Sequence, residues 1–458
     1  MRTVMKFGGS VLSTAEDFQR LVEIVGPRHR KGEEILLVNS ALHGVTDELI
    51  QAAEQAVTHT KHVSGFVNRL RRRHENALRL VSSPRIAGRC RAVLAGRLDR
   101  LEKALNAINS LQNLAPRTQD LVYTFGERLS APIMEAYLLD AGVQAKALDA
   151  DEAGLVTDSS YGKANPRMDL IKRNFKKIGT ALKDTIAIIT GYFGVDENSN
   201  VVCFGRGGSD FSAGIMANAV GANALELWKD IGCFYSADSR TVKGAQRLER
   251  LSYDEAEELG YFGAKIIHPK TIPPLKEKNI KALVKNVFKP RECGTLITAR
   301  PRKTGKTVKA IASKKNIGLI TVRSASMVDV PGYLGRLFGL LSEHGIAVDM
   351  VSTSEASVSF TIDRKDLLLA RKALAGLERE SERMRFESDV ALIGVIGEAL
   401  RSTPGIVGKA ANCLGKAGIN LEAISLGASE IDVLLVVKER HRVQAVQVLH
   451  RALVEGKT

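Results

Sequence analysis

The sequence is poor in aromatic residues and in paired cysteines. Phe, Trp and Tyr make up 5% of its 458 residues, with a single tryptophan, so stacking surfaces for single-stranded nucleic acid are in short supply. The five cysteines are scattered, without a C-x-x-C pair or a histidine at metal-ligand spacing. This pattern predicts reduced thiols in the cytosol and excludes a disulfide framework or a zinc-ribbon type of site.

Long apolar runs are also missing. No run approaches transmembrane length, and the first residues carry Lys6, Gly8 and Gly9 where a signal peptide would need an apolar core. We therefore expect a soluble, unprocessed, cytoplasmic protein that does not bind a membrane.

Positive charge is in excess, at a formal net charge of +15. Such an excess suggests a nucleic-acid partner, but much of it lies in helical segments such as 68–80, where Arg alternates with Glu and apolar residues. That pattern is typical of a solvated helix face, so we expect no nucleic-acid partner. The charge would still attract anionic substrates.

Four short apolar runs, at 3–7, 34–39, 143–148 and 185–190, alternate with helical patterns. Buried strands that alternate with helices predict an α/β layer fold with parallel strands. The segment from about 50 to 119 is long, basic and helical, which predicts an inserted helical hairpin.

Two further patterns concern the ends of elements. Ser13 and Glu16 predict a capping box at the start of the first helix. A stretch rich in Lys, Arg, Pro, Thr and Gly marks a linker near residue 300, and an internal repeat follows it. Each copy has a helix that ends at a glycine, Gly345 or Gly418, and the pattern predicts two β-α-β-β-α-β units of ~70 residues.

Two glycine-rich loops follow apolar runs. The first, KFGGS, joins Lys6 to Gly8, Gly9 and Ser10, a combination that suits a phosphate group, although without Walker spacing it also fits a plain turn. The second, GRGGSD, contains Arg206 and Asp210. An arginine fork suits a carboxylate, and Asp210 suits either Lys6 or Mg²⁺. The alternative is a hairpin with a surface ion pair, but two such loops favour one shared anion site.

Other polar residues follow the second strand or begin a helix. Ser40, Gly44 and Thr46 lie in the loop after that strand, at the edge where open α/β sheets bind ligands. Glu127 begins a helix, where it is either a ligand-binding carboxylate or a partner of the helix dipole. The lone histidines His43 and His268 receive no catalytic role.

The order of these motifs resembles the aspartate kinases of the amino-acid kinase superfamily. The resemblance runs from about residue 2 to 455 and is carried by KFGGS, GVT, FGE, GRGGSD, the block WKD with YSADSR, and GAKIIHP. The two repeats resemble that family's paired ACT domains, and MVSTSEASVSFTID from Met350 is especially similar to the first. The implied fold is a three-layer α/β/α sandwich followed by two ferredoxin-like ACT domains. The implied domains are 1–298, with the insertion at about 50–119, then 308–385 and 388–458.

The resemblance implies ATP-dependent phosphorylation of the aspartate side-chain carboxylate, with Mg²⁺, as the first step toward lysine, threonine and methionine. The implied catalytic residues are Lys6, Arg206 and Asp210, with Asp210 also a possible Mg²⁺ ligand. The implied ATP-binding residues are Lys6, Gly8, Gly9, Ser10, Lys229, Asp230, Tyr235, Ser236, Arg240 and Lys265. The implied aspartate-binding residues are Ser40, Thr46, Glu127, Arg206 and Ser209.

The ACT repeats imply regulation by lysine or threonine and a homodimer or homotetramer assembled through these domains. The implied effector residues are Met327, Asp329, Val330, Tyr333, Leu334, Val348, Asp349, Ser354 and Glu355. For Met327, Tyr333 and Val348 the alternative is that each only fills a core.

Some positions depart from the family pattern. Lys229 stands where threonine is usual, Ser239 replaces a proline, IGCFY differs from the usual segment, and Asn39 is polar in an apolar strand. The nucleotide preference is therefore open. Two alternative functions also remain, a related kinase of another carboxylate such as glutamate or acetylglutamate, and a non-catalytic amino-acid sensor.

Overall fold

The computed structural model of the chain describes residues 1–58, 63–263, 266–300, 307–328, 331–378, 381, 383–400, 402–427 and 431–456. The chain forms two compact units. The first contains Met1–Cys233, Glu249–Tyr253 and Lys265–Pro301, and the second contains Phe234–Leu248, Asp254–Ala264 and Arg302–Thr458.

The elements are numbered along the chain. The strands are β1 (Arg2–Phe7), β2 (Glu34–Asn39), β3 (Ala145–Leu148), β4 (Ile186–Thr190), β5 (Phe193–Val195), β6 (Val201–Cys203), β7 (Ala224–Lys229), β8 (Phe234–Tyr235), β9 (Arg247–Leu248), β10 (Arg250–Ser252), β11 (Lys281–Asn286), β12 (Thr295–Thr298), β13 (Ala310–Arg323), β14 (Val348–Thr353), β15 (Ser357–Asp363), β16 (Arg383–Ile396), β17 (Ala423–Leu426) and β18 (Asp432–Lys438).

The α-helices are α1 (Ala15–Arg30), α2 (Val45–Ala56), α3 (Val63–Ala77), α4 (Pro84–Leu111), α5 (Pro116–Tyr123), α6 (Phe125–Asp140), α7 (Met168–Ala181), α8 (Gly208–Ala219), α9 (Tyr253–Tyr261), α10 (Ile272–Glu277), α11 (Tyr333–Glu343), α12 (Leu367–Ala373), α13 (Ala375–Glu378), α14 (Ile406–Lys416) and α15 (Arg442–Leu449). Short 3-10 turns lie at Gly9–Val11, Pro269–Thr271, Ala325–Met327, Arg364–Asp366 and Glu439–His441, and a π-helix at His450–Val454.

The first unit is built on an eight-stranded sheet in the order β10-β12-β11-β7-β1-β2-β4-β3. Its central strands are all parallel, and only the β11–β12 pair is antiparallel. One group of helices packs around α6 and another around α8. The α/β/α fold predicted from the sequence is confirmed.

Burial explains why these strands form. In β1 five of six residues are buried, as are five of six in β2, and each fully buried apolar side chain contributes roughly 1.5–3 kcal/mol. The first helix has a capping box, but it is formed by Thr14 and Asp17. The prediction of Ser13 and Glu16 was wrong by one residue, because the chain leaves the extended conformation only after Thr14.

The second unit contains one six-stranded antiparallel sheet in the order β14-β15-β13-β16-β18-β17. The two predicted repeats meet at its centre, where β13 pairs with β16 along both strands. The first half of β13, from Ala310 to Lys314, pairs with the second half of β16, and Ile311 packs in the core of the second repeat. Each repeat is therefore completed by a strand segment that the other repeat contributes.

No helix in the part of the chain that the structure describes has the length and apolar character needed to cross a membrane.

Candidate active site

The candidate site lies at the carboxyl ends of neighbouring parallel strands in the first unit. Lys6 of β1 is in register with Val38 of β2 and with Leu227 of β7. The loop after β1, the end of β2 at Asn39 and the end of β7 at Lys229 therefore share one edge of the sheet. Ligands of open α/β sheets bind at this edge.

Asp210, in the first turn of α8, lies between two lysines. The Nζ atom of Lys6 is 2.5 Å from Oδ1 of Asp210, and the Nζ atom of Lys229 is 2.8 Å from Oδ2. All three side chains are largely buried. Because two ammonium groups share one carboxylate, the three groups together carry one net positive charge. We name them the lysine–aspartate cluster.

The electrostatics of this cluster favour an incoming anion. Burial alone would raise the pKa of Asp210, but the charges and hydrogen bonds of Lys229 and Lys6 outweigh it and hold that pKa well below its usual range. Burial lowers the pKa of Lys6, Asp210 opposes this, and the charge of Lys229 lowers it further. The two cations repel each other across one anion, and a second anion would relieve the repulsion.

Position 207 in the second glycine-rich loop requires glycine for two reasons. Gly207, the N-cap of α8, has a φ of 74°, and a Cβ atom there would overlap the ring of His268. Only glycine accepts both conditions. The neighbouring Arg206 is exposed and forms no ion pair with any residue in the described ranges.

Glu127, in the first turn of α6, is a second buried carboxylate, 2% exposed. Its Oε1 accepts a hydrogen bond of 3.3 Å from Ser209, whereas Oε2 has no hydrogen-bond partner among the described residues. Burial raises the pKa of Glu127 to about 7, against backbone N–H donors, Ser209 and the charge of Lys6. A buried carboxylate with an unsatisfied oxygen suits the ammonium group of a ligand.

The loop after β2 lies directly beside this carboxylate. A Cβ atom on Gly126 would be 2.7 Å from the Cβ of Ala41 and 3.5 Å from Oγ1 of Thr46, so these elements approach as closely as a glycine permits. Thr46 therefore lies next to the start of α6, as the predicted aspartate pocket requires.

The polar residue in β2 has a structural partner. The Nδ2 atom of Asn39 donates to Ser130 at 2.6 Å, and the Ser130 hydroxyl donates to the backbone oxygen of Ser40 at 2.6 Å. Asn39, which is polar where the family usually has an apolar residue, thus links α6 to the loop that contains Ser40.

The predicted nucleotide residues of the first unit are also joined. The backbone N–H of Gly8 donates to the oxygen of Trp228 at 3.1 Å, and Ser10 donates to Oδ1 of Asp230 at 2.9 Å. Gly9 lies between them in the 3-10 turn. The loop after β1 is therefore hydrogen-bonded to the end of β7 next to Lys229.

The remaining predicted nucleotide residues are not in this group. Tyr235, Ser236 and Arg240 belong to the second unit, and Lys265 lies outside the described residues. Arg240 is exposed and forms hydrogen bonds of 2.8 and 3.0 Å with Asp238. Their roles stay predictions.

The donor set fits Mg²⁺ poorly as a directly bound ion. Both oxygens of Asp210 face ammonium groups, and no cluster of three His, Cys, Asp or Glu side chains suitable for a metal occurs among the described residues. Mg²⁺ in kinase sites is held by one or two carboxylates together with waters and substrate phosphates, so what opposes direct binding by Asp210 is its pairing with two lysines. We therefore assign Asp210 to holding the two lysines.

The predicted effector residues lie in the first repeat. Tyr333 is part of its apolar core, and Met327 and Val348 pack against it, so an effector role for these three stays a prediction. Leu334 is 37% exposed. Asp329 and Val330 lie outside the described residues.

The polar effector residues include one that is already paired. Asp349 Oδ2 lies 2.7 Å from the Nζ of Lys314, and that ammonium also lies 4.9 Å from the ring of Tyr261. Ser354 contacts Ser357 at 2.6 Å, and Glu355 is exposed. The carboxylate of Asp349, which was predicted to bind an effector, is thus already paired with the ammonium group of Lys314.

Two residues near the site received no role from the sequence. Tyr192 follows β4 with a φ of 78°, which is rare for an aromatic residue, and Ser212 accepts its N–H at 2.9 Å. His268 contacts Gly207, and its buried Nδ1 has no hydrogen-bond partner within the described ranges. The only signal was position, since Tyr192 follows a buried strand and His268 is the next-to-last residue of the GAKIIHP motif.

Comparison with known proteins identifies the family. Residues 1–286 match the amino acid kinase family, and residues 320–376 and 393–453 match an ACT domain. The chain is 31% identical to aspartokinase 1 of Arabidopsis thaliana, a chloroplastic protein, over 99% of this chain and 80% of that one. The chain belongs to the aspartokinase family.

Two solved aspartokinase structures resemble the whole chain. Escherichia coli aspartokinase III in complex with aspartate and ADP (R-state) superposes with a TM-score of 0.87 at 27% identity, over 99% of this chain and 100% of that one. The same enzyme in complex with lysine and aspartate (T-state) gives 0.80 at 27% identity, over 98% and 99%. The kinase class and the ACT-based regulatory architecture predicted from the sequence are confirmed by this aspartokinase membership.

Proposed function

We propose that the chain transfers the γ-phosphoryl group of ATP to the side-chain carboxylate of L-aspartate, giving 4-phospho-L-aspartate and ADP. The observation that carries the proposal is the lysine–aspartate cluster beside the buried carboxylate of Glu127. Two lysines on one aspartate suit a phosphate chain, and an unsatisfied buried carboxylate suits an amino acid's ammonium.

The reaction needs positioning and charge more than proton transfer. An oxygen of the aspartate side chain attacks the γ-phosphorus, and the bond from that phosphorus to the bridging oxygen of ADP breaks. The attacking carboxylate is already ionised, so it requires no general base. Lys6 and Lys229 neutralise the phosphoryl oxygens, and Asp210 keeps both ammonium groups in place.

On the acceptor side, Arg206 grips the α-carboxylate of aspartate and Glu127 binds its ammonium group. An exposed guanidinium fork suits the first role, and a carboxylate with one oxygen unsatisfied suits the second. Ser40, Thr46 and Ser209 line the same pocket.

On the donor side, Gly8, Gly9, Ser10 and Asp230 complete the phosphate site with the two lysines. Tyr235, Arg240 and Lys265 are assigned to the rest of the nucleotide, whereas the fully buried Ser236 supports the segment that contains Tyr235 and Arg240. Mg²⁺, when bound with ATP, supplies further charge neutralisation through the phosphate oxygens. We assign no protein ligand to it.

The same proposal includes regulation. Lysine, or alternatively threonine, binds the first ACT repeat and favours an inactive state of a homodimer or homotetramer. The proposed domains are 1–298, 308–385 and 388–458. Cys90, Cys203, Cys233 and Cys413 are free thiols, which supports a cytoplasmic location. We place the enzyme at the first step toward lysine, threonine and methionine.

A coupled assay of ADP release tests the proposal. With ATP and Mg²⁺ present, we expect turnover with aspartate and little with glutamate or N-acetylglutamate. Faster turnover with either of the other acids would assign the enzyme to that substrate. Amino-acid binding without ADP release from any acid would support the sensor instead.

A further inference from the structure

A serine, a histidine and a glutamate lie in a row inside the second unit. Ser236 Oγ and His450 Nε2 are 2.8 Å apart, and His450 Nδ1 is 3.1 Å from Oε1 of Glu455. Ser236 and His450 are both fully buried. The order is that of a hydrolytic triad, but no substrate reaches a hydroxyl that has no exposed surface. The function of the row must therefore lie in what it holds.

The proton positions in the row follow from its partners. A carboxylate only accepts, so Nδ1 of His450 carries the proton that Glu455 binds. The backbone N–H of Gln246 donates to the Ser236 hydroxyl oxygen at 2.8 Å. The proton of that hydroxyl is then directed to Nε2 of His450. Each member thus fixes the orientation of the next.

The row ends on the segment 234–248, which contains the β8–β9 pair. Two further hydrogen bonds fix that segment. The N–H of Ile311 donates to the backbone oxygen of Ser236 at 2.8 Å, and the side chain of Gln447 donates to the oxygen of Thr241 at 2.9 Å. The segment is therefore attached to β13 and to α15 at separate points.

Packing adds to these bonds. Ala237 and Val242 are buried in the apolar core of the second repeat, and a Cβ atom on Gly244 would be 2.8 Å from Oε1 of Glu455. His450 itself opens a π-helix, a rare turn that often marks a functional position. The segment 234–248 is thus built as part of the regulatory repeat.

We propose that His450 is a positioning residue for nucleotide binding, acting through Ser236 on the segment 234–248. This inference rests on the proposed function, because Tyr235 and Arg240 of that segment are assigned to ATP, whereas Ser236, with its buried hydroxyl, holds the segment in place. The histidine lies more than two hundred residues further along the chain and touches no substrate.

The test compares His450→Leu, Ser236→Ala and the double variant with wild type. We expect His450→Leu to raise the KM for ATP about tenfold and to leave kcat and the KM for aspartate within about twofold, because only the nucleotide segment loosens. Ser236→Ala should raise the KM for ATP by a similar factor. The double variant should have a KM no higher than either single variant, because both changes break the same hydrogen bond between Ser236 and His450.

The control is Thr361→Val, which removes another fully buried hydroxyl of the second unit, one that accepts the N–H of Met350 at 3.1 Å. It should leave all kinetic constants within about twofold of wild type. Circular dichroism and thermal melting check that each variant is folded. If His450→Leu does not fold, Ser236→Ala, which loses one hydroxyl, carries the test.

An unchanged KM for ATP in folded His450→Leu would overturn the inference, as would an equal change in every constant. Equilibrium titration with ATP is run in parallel and should show the same tenfold loss of affinity. If wild type binds ATP but releases no ADP with aspartate, the proposed function fails, while the titration still decides the role of His450.

Discussion

The lysine–aspartate cluster of the first unit and the buried row Ser236–His450–Glu455 of the second differ in how their charges are balanced. In the cluster, two ammonium groups share Asp210 and repel each other. In the row, each proton has an acceptor next in line. Burying unbalanced charge is costly, so an imbalance kept inside a protein marks a place for a ligand. A completed row of hydrogen bonds fixes shape.

Among the variants tested by a change in KM, we expect the largest change for Glu127→Gln. Loss of the charge should raise the KM for aspartate about a hundredfold, since hydrogen bonds to charged groups contribute about 1.5–3 kcal/mol. The matched control is Glu135→Gln, the same substitution two turns further along α6. Initial rates at varied aspartate measure both, and equal effects would remove the ammonium-binding role of Glu127.

Glu127 also sets a pH dependence. Because its pKa is raised to about 7, the wild-type kcat/KM for aspartate should rise as pH increases through 7, where the carboxylate becomes ionised. In the folded protein the pKa of Glu127 lies above its ordinary value of 4.5. The contribution of this side chain to the free energy of unfolding is therefore fully present below pH 4.5 and is lost as the pH rises to about 7. Urea unfolding should therefore show Glu127→Gln gaining stability over wild type across that range. A constant difference would contradict the raised pKa.

A smaller effect is expected for Lys229→Thr, which restores the residue usual in the family. Asp210 keeps Lys6, but the cluster loses its net positive charge, so the KM for ATP should rise about tenfold. The control, Lys281→Thr, removes an exposed lysine from the opposite end of β11, roughly 17 Å along the neighbouring strand. An unchanged KM in Lys229→Thr would mean that the charge balance of the cluster does not serve ATP.

The smallest effect concerns the first ACT repeat. Lys314 occupies the carboxylate of Asp349, so Lys314→Met should release Asp349 and lower the inhibitory concentration of lysine or threonine about fivefold. Lys438→Met, which breaks the pair with Glu387 in the second repeat, serves as the control and should leave inhibition unchanged. Titrations of activity with each amino acid measure this. Equal inhibition of wild type and Lys314→Met would contradict it.

Sequence reasoning succeeded where pattern and local chemistry decide the structure. The alternation of strands and helices and the two repeats were predictable, and so was a pairing of Lys6 with Asp210, which the structure brings to 2.5 Å. Each depends on spacing along the chain or on complementary charge at strand ends.

Apart from the capping box, which was misplaced by one residue, the misses depend on long-range packing. The sharing of Asp210 between Lys6 and Lys229 requires β7 to lie beside β1. The exchange of strand halves between β13 and β16 requires the two repeats to pair. The burial of Ser236 against His450 joins residues more than two hundred positions apart. Nothing in the local sequence specifies such contacts.

Trapping of the acyl phosphate tests the central claim most directly. Wild type, Lys6→Ala and the exposed-lysine control Lys176→Ala are incubated with ATP, Mg²⁺, aspartate and hydroxylamine, and aspartyl hydroxamate is measured. We predict hydroxamate in wild type and in Lys176→Ala, and at least about a thousandfold less in Lys6→Ala, because the phosphoryl group loses its buried cation. Equal hydroxamate from Lys6→Ala and wild type would contradict the claim that the lysine–aspartate cluster binds the transferred group.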